Sequence, residues 1–427
     1  METNKKIKIL VLSDHPLSPS GVAHQTKCMI EGLLSKYSGK YEFVCLGGAM
    51  KHRSYQPVVV DQEKYKNDWR IIPVDGYGTQ EQVRSILRME RPDLLWFMTD
   101  PRFFGWLWNM ENEIRPLVPM IYYHVWDNFP APQYNQRWYE SCDLIATISK
   151  VTSGVVNEVA PTVPEVYHPH SVDPTIFRKL SEEEYSFSRE TLYNKHPEFE
   201  DQFMFFWNNR NARRKQSGTL VYWFKKLCEQ IGDDKAFLLM HTDPADPHGQ
   251  PLDYLIEHFG LKGKVIISTN KVEPAQLAQM YNLADCTINI ADAEGFGLST
   301  LESLSCETPI ICTMTGGLQE QVTDGENWFG IGIEPASKAV IGSHEVPWIF
   351  EDRVSEKDVV AAMKKMVELS QEERAAMGTA ARQHINKNYN FSRYVEGWDK
   401  ILTKAHNEMG SWESRTGYTP WEVEEIA

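Results

Sequence analysis

The 427-residue chain contains no run of 18 apolar residues, so nothing in it reads as a membrane-spanning helix. It has no Cys-x-x-Cys pair. Its seven cysteines are scattered, most of them in apolar runs, which predicts reduced thiols in a cytoplasmic protein and argues against a disulfide framework. Basic residues are not in excess: 44 Lys and Arg against 59 Asp and Glu give a net charge of −15. That balance disfavours loose attachment to nucleic acid or anionic lipid, although a local basic groove is compatible with it. A Gly-x-Gly-x-x-Gly dinucleotide fingerprint is missing, as are internal repeats and low-complexity tracts. The start, METNKKIKILVL, passes from a short polar tail into an apolar run without the layout of a signal peptide.

What is present is a large apolar and aromatic complement, 42% hydrophobic with 13 Trp, 18 Tyr and 18 Phe. This is ample for the cores of two domains, and aromatic faces also suit sugar rings and bases. Short apolar runs at Ile7–Leu12, Tyr41–Leu46, Ile71–Val74, Leu94–Met98, Met120–His124 and Leu144–Ile148 alternate with helical or irregular segments. That alternation predicts an α/β fold with an open, doubly wound parallel sheet, ligands binding beyond the carboxyl ends of its strands. A second series begins at Phe203–Trp207 and continues through Ala236–Met240, Val265–Ser268, Cys286–Ile290 and Ile310–Cys312. Residues 334–352 carry prolines and charges and read as a loop. Helical patterns follow at Val354–Leu369 and Gln371–Asn388.

The stretch Ala291–Val322 organises the second half. A buried strand is broken by Gly295 and Gly297, a helix is predicted from Leu298 to Ser305, and another strand follows Pro309. Amide groups of Gly295, Phe296, Gly297 and Leu298 can face a phosphate at the helix start. Glu294 and Glu302 bracket the turn and can accept from sugar hydroxyls. A competing reading pairs Ser299 with Glu302 as a capping box, leaving Glu302 only to satisfy helix donors. A similar strand, loop and helix start surrounds Ser20-Gly21 near the N-terminus.

Three further groups stand at strand ends. Arg210, Arg213, Arg214 and Lys215 follow the first strand of the second half; a solvated turn and an anion site both fit such a run. His241, Asp243, Asp246 and His248 invite a metal reading, but the interleaved prolines fit a rigid surface loop and no zinc or calcium spacing is matched. No convincing Asp-x-Asp stands near a strand end; Asp292-Ala-Glu294 comes nearest. His124 closes one strand, with Asp127 shortly after it. A lone histidine there is ordinarily a hydrogen-bonded structural residue, and Asp127 fits a cap of the next turn.

Glu294-Gly-Phe-Gly-Leu-Ser-Thr-Leu-Glu302 resembles the E-x7-E motif of retaining GT-B glycosyltransferases, family 4 in particular. Support comes from Pro309-Ile-Ile, Gly316-Gly317 with Glu320, the Tyr281 to Asp285 helix exit, and Val172-Asp173 with Phe177. The resemblance is strongest from Tyr281 to Asn327 and poor from Tyr37 to Arg115. Ser20-Gly21 keeps one glycine of that family's N-terminal pair, Asn209 stands where it has glycine, and Arg393 replaces its tryptophan. The resemblance implies two Rossmann-like domains facing a cleft. The acceptor-side domain would be residues 1–178 completed by the C-terminal helix 391–427, and the donor domain residues 179–390.

The same resemblance implies sugar transfer from a nucleoside-diphosphate sugar with retention, needing no metal and no cofactor. It puts Arg210 and Lys215 on the diphosphate, Glu294 on the sugar, Glu302 on the ribose, and Gly21 and the 295–298 amides near the donor. His124 would touch the sugar from the other domain. The acceptor stays open: a glycan, lipid-linked glycan, protein or small molecule, alternatively a modified base in DNA. Two other readings of this fold are a non-catalytic sugar-nucleotide-binding protein and an epimerase. Neither the oligomeric state nor the role of residues 408–427 follows from the sequence.

Overall fold

The computed structural model describes residues 5–126 and 128–420. Asp127, the weaker of the two candidates after the fifth expected strand, lies outside the described residues. The chain divides into two units. The first comprises the chain up to Ser171, Ser343–Pro347, and the chain from Phe391 on; the second comprises Val172–Gly342 and Trp348–Asn390.

The first unit is built on β1 (Ile7–Asp14), β2 (Tyr41–Gly48), β3 (Val58–Val59), β4 (Trp69–Pro73), β5 (Leu94–Met98), β6 (Met120–His124), β7 (Leu144–Thr147) and β8 (Glu165–Tyr167). They lie in the order β3-β4-β2-β1-β5-β6-β7-β8. The short β3 is antiparallel to β4, and every other pairing is parallel. β5 and β6 are buried at every residue, as strands covered on both faces must be. Strand order reverses between β1 and β5, so the loops leaving these two diverge and open a crevice at their carboxyl ends.

The helix Gly21–Lys36 packs on this sheet, capped by Ser20, whose hydroxyl accepts from the Ala23 amide. The C-terminal helix Phe391–Met409 returns to lie against it. Gly32 permits the close approach: a Cβ there would come within 2.4 Å of Val395. Trp398 from the same helix inserts between Trp96 and Tyr123, ring centroids 5.7 and 4.8 Å away. The segment after the helix crosses to the strand starts, where Trp412 Nε1 donates to Pro92 O at 2.8 Å and Arg415 Nη2 to Asp143 Oδ1 at 2.7 Å. The sequence assigned no role to this segment.

The second unit holds β9 (Phe203–Asn208), β10 (Ala236–His241), β11 (Val265–Ser268), β12 (Cys286–Asn289), β13 (Ile310–Thr313) and β14 (Ile331–Ile333). Their order is β11-β10-β9-β12-β13-β14, parallel throughout, with the reversal between β9 and β12. Phe205, Trp207, Leu238 and Ile288 from the sheet pack with Val221 and Phe224 of the helix Ser217–Ile231 and Met363 and Met366 of the helix Glu356–Glu368. Residues 334–352, expected as loop, instead contain most of an antiparallel hairpin of β15 (Ser337–Ile341) and β16 (Ile349–Arg353). Ion pairs of its charged residues take the place of an apolar face, so no hydrophobic alternation marks it.

All seven cysteines are buried free thiols. Among the described residues, no helix is long and apolar enough to cross a membrane.

Candidate active site at the second switch point

The carboxyl ends of β9 and β12 flank the reversal in strand order, and the chain leaving each brings charge to it. After β9 a short 3-10 turn, Arg213–Lys215, leads into Gln216, whose φ of +56° swings the chain into the helix Ser217–Ile231. This turn points Lys215 inward, leaving it 7% exposed. Lys215 Nζ is in contact with Glu294 Oε2, and Arg214 Nη1 lies 3.4 Å from the same oxygen while also donating to Ala293 O. Two cations therefore converge on one carboxylate whose side chain is 12% exposed.

The chain from Glu294 to Leu298 is held by the loop after β13. Gly317 N donates to Glu294 O at 3.0 Å, and Gln321 Nε2 donates to Phe296 O at 2.6 Å. Gly316, at φ +47°, has to be glycine, because a Cβ would stand 1.8 Å from Glu294 O. The helix Leu298–Ser305 starts where the sequence places it. Its N-cap is Gly297, at φ +90°, with no side-chain cap. Among the described residues, the amides of Gly295, Gly297 and Leu298 donate to no protein acceptor, which leaves positive partial charge at the helix start.

Glu302 does not cap this helix, and the capping-box reading fails. It accepts from Tyr281 OH at 2.7 Å, and Tyr281 OH in turn accepts from Asn208 Nδ2 at 2.8 Å. Asn208 ends β9, so this relay joins the helix to the same switch point. Burial pushes the Glu302 carboxyl up to about 7, against the hydrogen bond from Tyr281, which favours the ionised form.

Other expected residues lie apart from this cluster. Arg210 turns away from Glu294: its Nε donates to Asp246 Oδ2 at 2.6 Å and its Nη2 lies 2.8 Å from His248 Nδ1. The guanidinium holds Asp246 well below the usual carboxylate range. His241, the first of the His/Asp run, bonds Ser268 Oγ instead. Among the described residues no group of three or more His, Cys, Asp or Glu is placed to hold a metal ion.

In the first unit, Gly21 opens its helix beside Ser20, whose hydroxyl is hydrogen-bonded to Asp14 Oδ2. His124 has no exposed surface. Its Nε2 lies 2.7 Å from Tyr139 OH, and its ring is tilted against Tyr122 at 4.8 Å. Burial pushes it down to about 3, so it is a neutral imidazole that presents no atom to a ligand in this conformation.

Sequence reasoning counted Arg214 in a cationic run without giving it a role of its own, and passed over Tyr281 and Asn208 as site residues. Arg214 and Arg210 are alike in type, and only the 3-10 turn decides which faces Glu294. Tyr281 carried a signal in its place before Ala284-Asp285, but its partner Glu302 lies 21 residues away.

Residues 188–384 match the family model described as glycosyl transferases group 1. D-inositol 3-phosphate glycosyltransferase of Acidothermus cellulolyticus is 37% identical over 75 residues, 17% of this chain and 17% of that protein. Trehalose synthase of Pyrococcus horikoshii is 25% identical over 184 residues, 42% of this chain and 38% of the relative. The chain thus spans well under half the length of the curated relatives it matches. Sucrose-phosphate synthase of Thermosynechococcus elongatus superposes with a TM-score of 0.74 at 15% identity, covering 95% of this chain and 100% of the other. That likeness establishes the fold, which is GT-B, with two Rossmann-like units.

Proposed function

We propose that the protein transfers a sugar from a nucleoside-diphosphate sugar to an acceptor hydroxyl with retention of anomeric configuration. The observation that carries this reading is the convergence of Lys215 and Arg214 on Glu294 beside the uncapped start of the helix Leu298–Ser305. Fixed cations and free amides at a switch point suit a diphosphate. As the bond to the anomeric carbon breaks, charge grows on the leaving phosphate, and preorganised donors act most strongly there. Relatives named for glycosyl transfer and for trehalose synthesis support the same class.

In this reading Lys215 and Arg214 hold the diphosphate, with Arg210 reaching it only on leaving Asp246. The amides of Gly295 to Leu298 complete the phosphate site. Glu294 accepts from sugar hydroxyls and Glu302 from the ribose. The acceptor attacks from the face the leaving group departs, and the leaving phosphate takes its proton, so no side-chain base or nucleophile is assigned. Charge stabilisation rests on side chains and amides and needs no divalent ion.

A thermal-shift series with UDP-, GDP-, ADP- and CMP-sugars, with and without chelator, tests the donor class, since a ligand of the native state raises Tm by mass action. A shift for one of the three diphosphate nucleotides, unchanged by chelator, is expected, and a shift for the CMP-sugar alone, which carries a single phosphate, overturns the diphosphate assignment. NMR of the product's anomeric proton then tests retention. Failure of every donor to shift Tm overturns the reading, and an inverted product overturns its stereochemistry.

A further inference from the structure

The hairpin β15–β16 reaches the donor-side loops through groups that the proposed reaction leaves unused. Glu351 on β16 is 2% exposed and takes both terminal nitrogens of Arg213 and one of Arg353. The other Arg353 nitrogen lies 3.1 Å from Asp292 Oδ2, and Gln216 Nε2 donates to that same oxygen at 2.6 Å. The main chain repeats the pattern: Asp292 N donates to Arg214 O and Asp352 N to Asp292 O, each at 2.8 Å. Asp292 is therefore gripped by two separate segments, the turn after β9 and the strand β16, each reaching both its carboxylate and its backbone.

These contacts bracket the site. Arg213 and Gln216 flank Arg214 and Lys215, and Asp292 stands two residues before Glu294. Any movement of β16 is passed through Asp292 to both arms of the cation and carboxylate cluster. Stability alone explains the network poorly, because a buried ion pair gains little over an apolar replacement of the same shape. Asp292 itself is 2% exposed, and burial pushes its carboxyl up to about 6 even with Gln216 and Arg353 beside it. What a rigid polar network supplies is geometry, and supporting contacts of this kind hold ligand-binding groups within a fraction of an ångström.

We propose that Asp292, together with Glu351 and Arg353 of the hairpin, is a positioning clamp that sets the spacing between the Arg214–Lys215 arm and Glu294, and through it the affinity for the nucleoside diphosphate. The inference rests on the donor reading above. The clamp residues do not touch the donor; they act through the residues that do.

The test is calorimetric titration with UDP, GDP and ADP against wild type, Asp292→Asn and Arg353→Gln, with a melting curve for each protein. Asp292→Asn keeps the shape and an acceptor for Gln216 but removes the charge facing Arg353. The expected result is a Kd for the tightest nucleotide raised about tenfold, the order seen when a supporting contact is lost, while Tm moves by less than about 4 °C. Arg353, with a third of its side chain exposed, keeps the test open should Asp292→Asn fail to fold, and its loss is expected to raise Kd in the same direction. Wild-type binding matched in Kd by either folded variant overturns the clamp and leaves the donor reading standing. No binding of any of the three by wild type overturns the donor reading and the clamp with it.

Discussion

The two sheets reverse strand order in the same way, yet the chemistry at their reversals is opposite. At the β1/β5 point the helix start is already occupied. Ser20 caps it, and the Asp14 carboxylate sits on the Ser20 hydroxyl with Tyr77 OH donating to its other oxygen at 2.8 Å. A phosphate arriving there would meet a carboxylate and a satisfied amide. At the β9/β12 point the helix begins at an uncapped glycine, and the nearby carboxylate is matched by two cations. Topology supplies a crevice in both units; capping and charge decide which one suits an anion. At the first unit's crevice Tyr77 stacks on Phe103 at 5.1 Å and its hydroxyl bonds Asp14 and Thr99, so the groups there are engaged with one another.

The sharpest way to break this contrast is Lys215→Ala. It removes a cation from the proposed leaving-group site and leaves Glu294 with weaker compensation. Turnover with the best donor is expected to fall about 10²- to 10³-fold, the cost of deleting one preorganised donor. Initial rates measure it, and a loss under about threefold would return the site to a structural role. Gly316→Ala should come next. With a Cβ 1.8 Å from Glu294 O at a positive φ, the loop carrying Glu294 must shift. The variant is expected to lose more than about 1 kcal/mol of stability and to bind nucleotide more weakly, read by denaturant melts and titration.

Glu302→Gln separates burial from binding. The folded-state carboxyl is raised from the ordinary 4.5 to about 7, so the fold holds a proton that the unfolded chain releases. Its contribution is fully present below pH 4.5 and lost as pH rises to about 7, a change of roughly 3 kcal/mol at about 1.36 kcal/mol per unit. Wild-type stability should therefore fall relative to Glu302→Gln between pH 4.5 and 7 and run parallel to it above. Denaturant midpoints at half-unit steps check this. A constant difference across the range would mean that Glu302 does not titrate there. The same variant tests the ribose assignment, because unchanged donor affinity at pH 8 removes it.

How much of this was legible in the sequence depends on distance along the chain. The unit from Cys286 to Thr313 is local: apolar runs, two glycines and a proline punctuate it, and the helix Leu298–Ser305 begins and ends where that punctuation predicts. The strand β6, Met120–His124, is equally plain. Contacts between distant residues are not written that way. The resemblance selects Arg210 with Lys215, but the 3-10 turn and the left-handed Gln216 aim Arg214 and Lys215 at Glu294, and Asp246 draws Arg210 elsewhere. Ser299 and Glu302 have the spacing of a capping box, but Gly297 takes the cap and Tyr281, twenty-one residues back, takes Glu302. The hairpin carries no clear alternation, because its most buried residue, Glu351, is charged and finds a partner on another loop.

The smallest expected effect tests the other side of the contrast. Ser20→Ala removes the hydroxyl that caps Gly21–Lys36 and frees the Asp14 oxygen it occupies. If that helix start is structural, the change costs about 1 kcal/mol of stability, the usual worth of a serine N-cap, and nucleotide affinity stays within error. Asp14 would keep its bond from Tyr77 and still repel an anion. A Kd that rises in step with the loss of the cap would place part of the donor on the first unit. The difference between the two switch points would then be one of degree. A Kd that holds while the denaturant midpoint falls would leave the anion with the unit that has the uncapped helix.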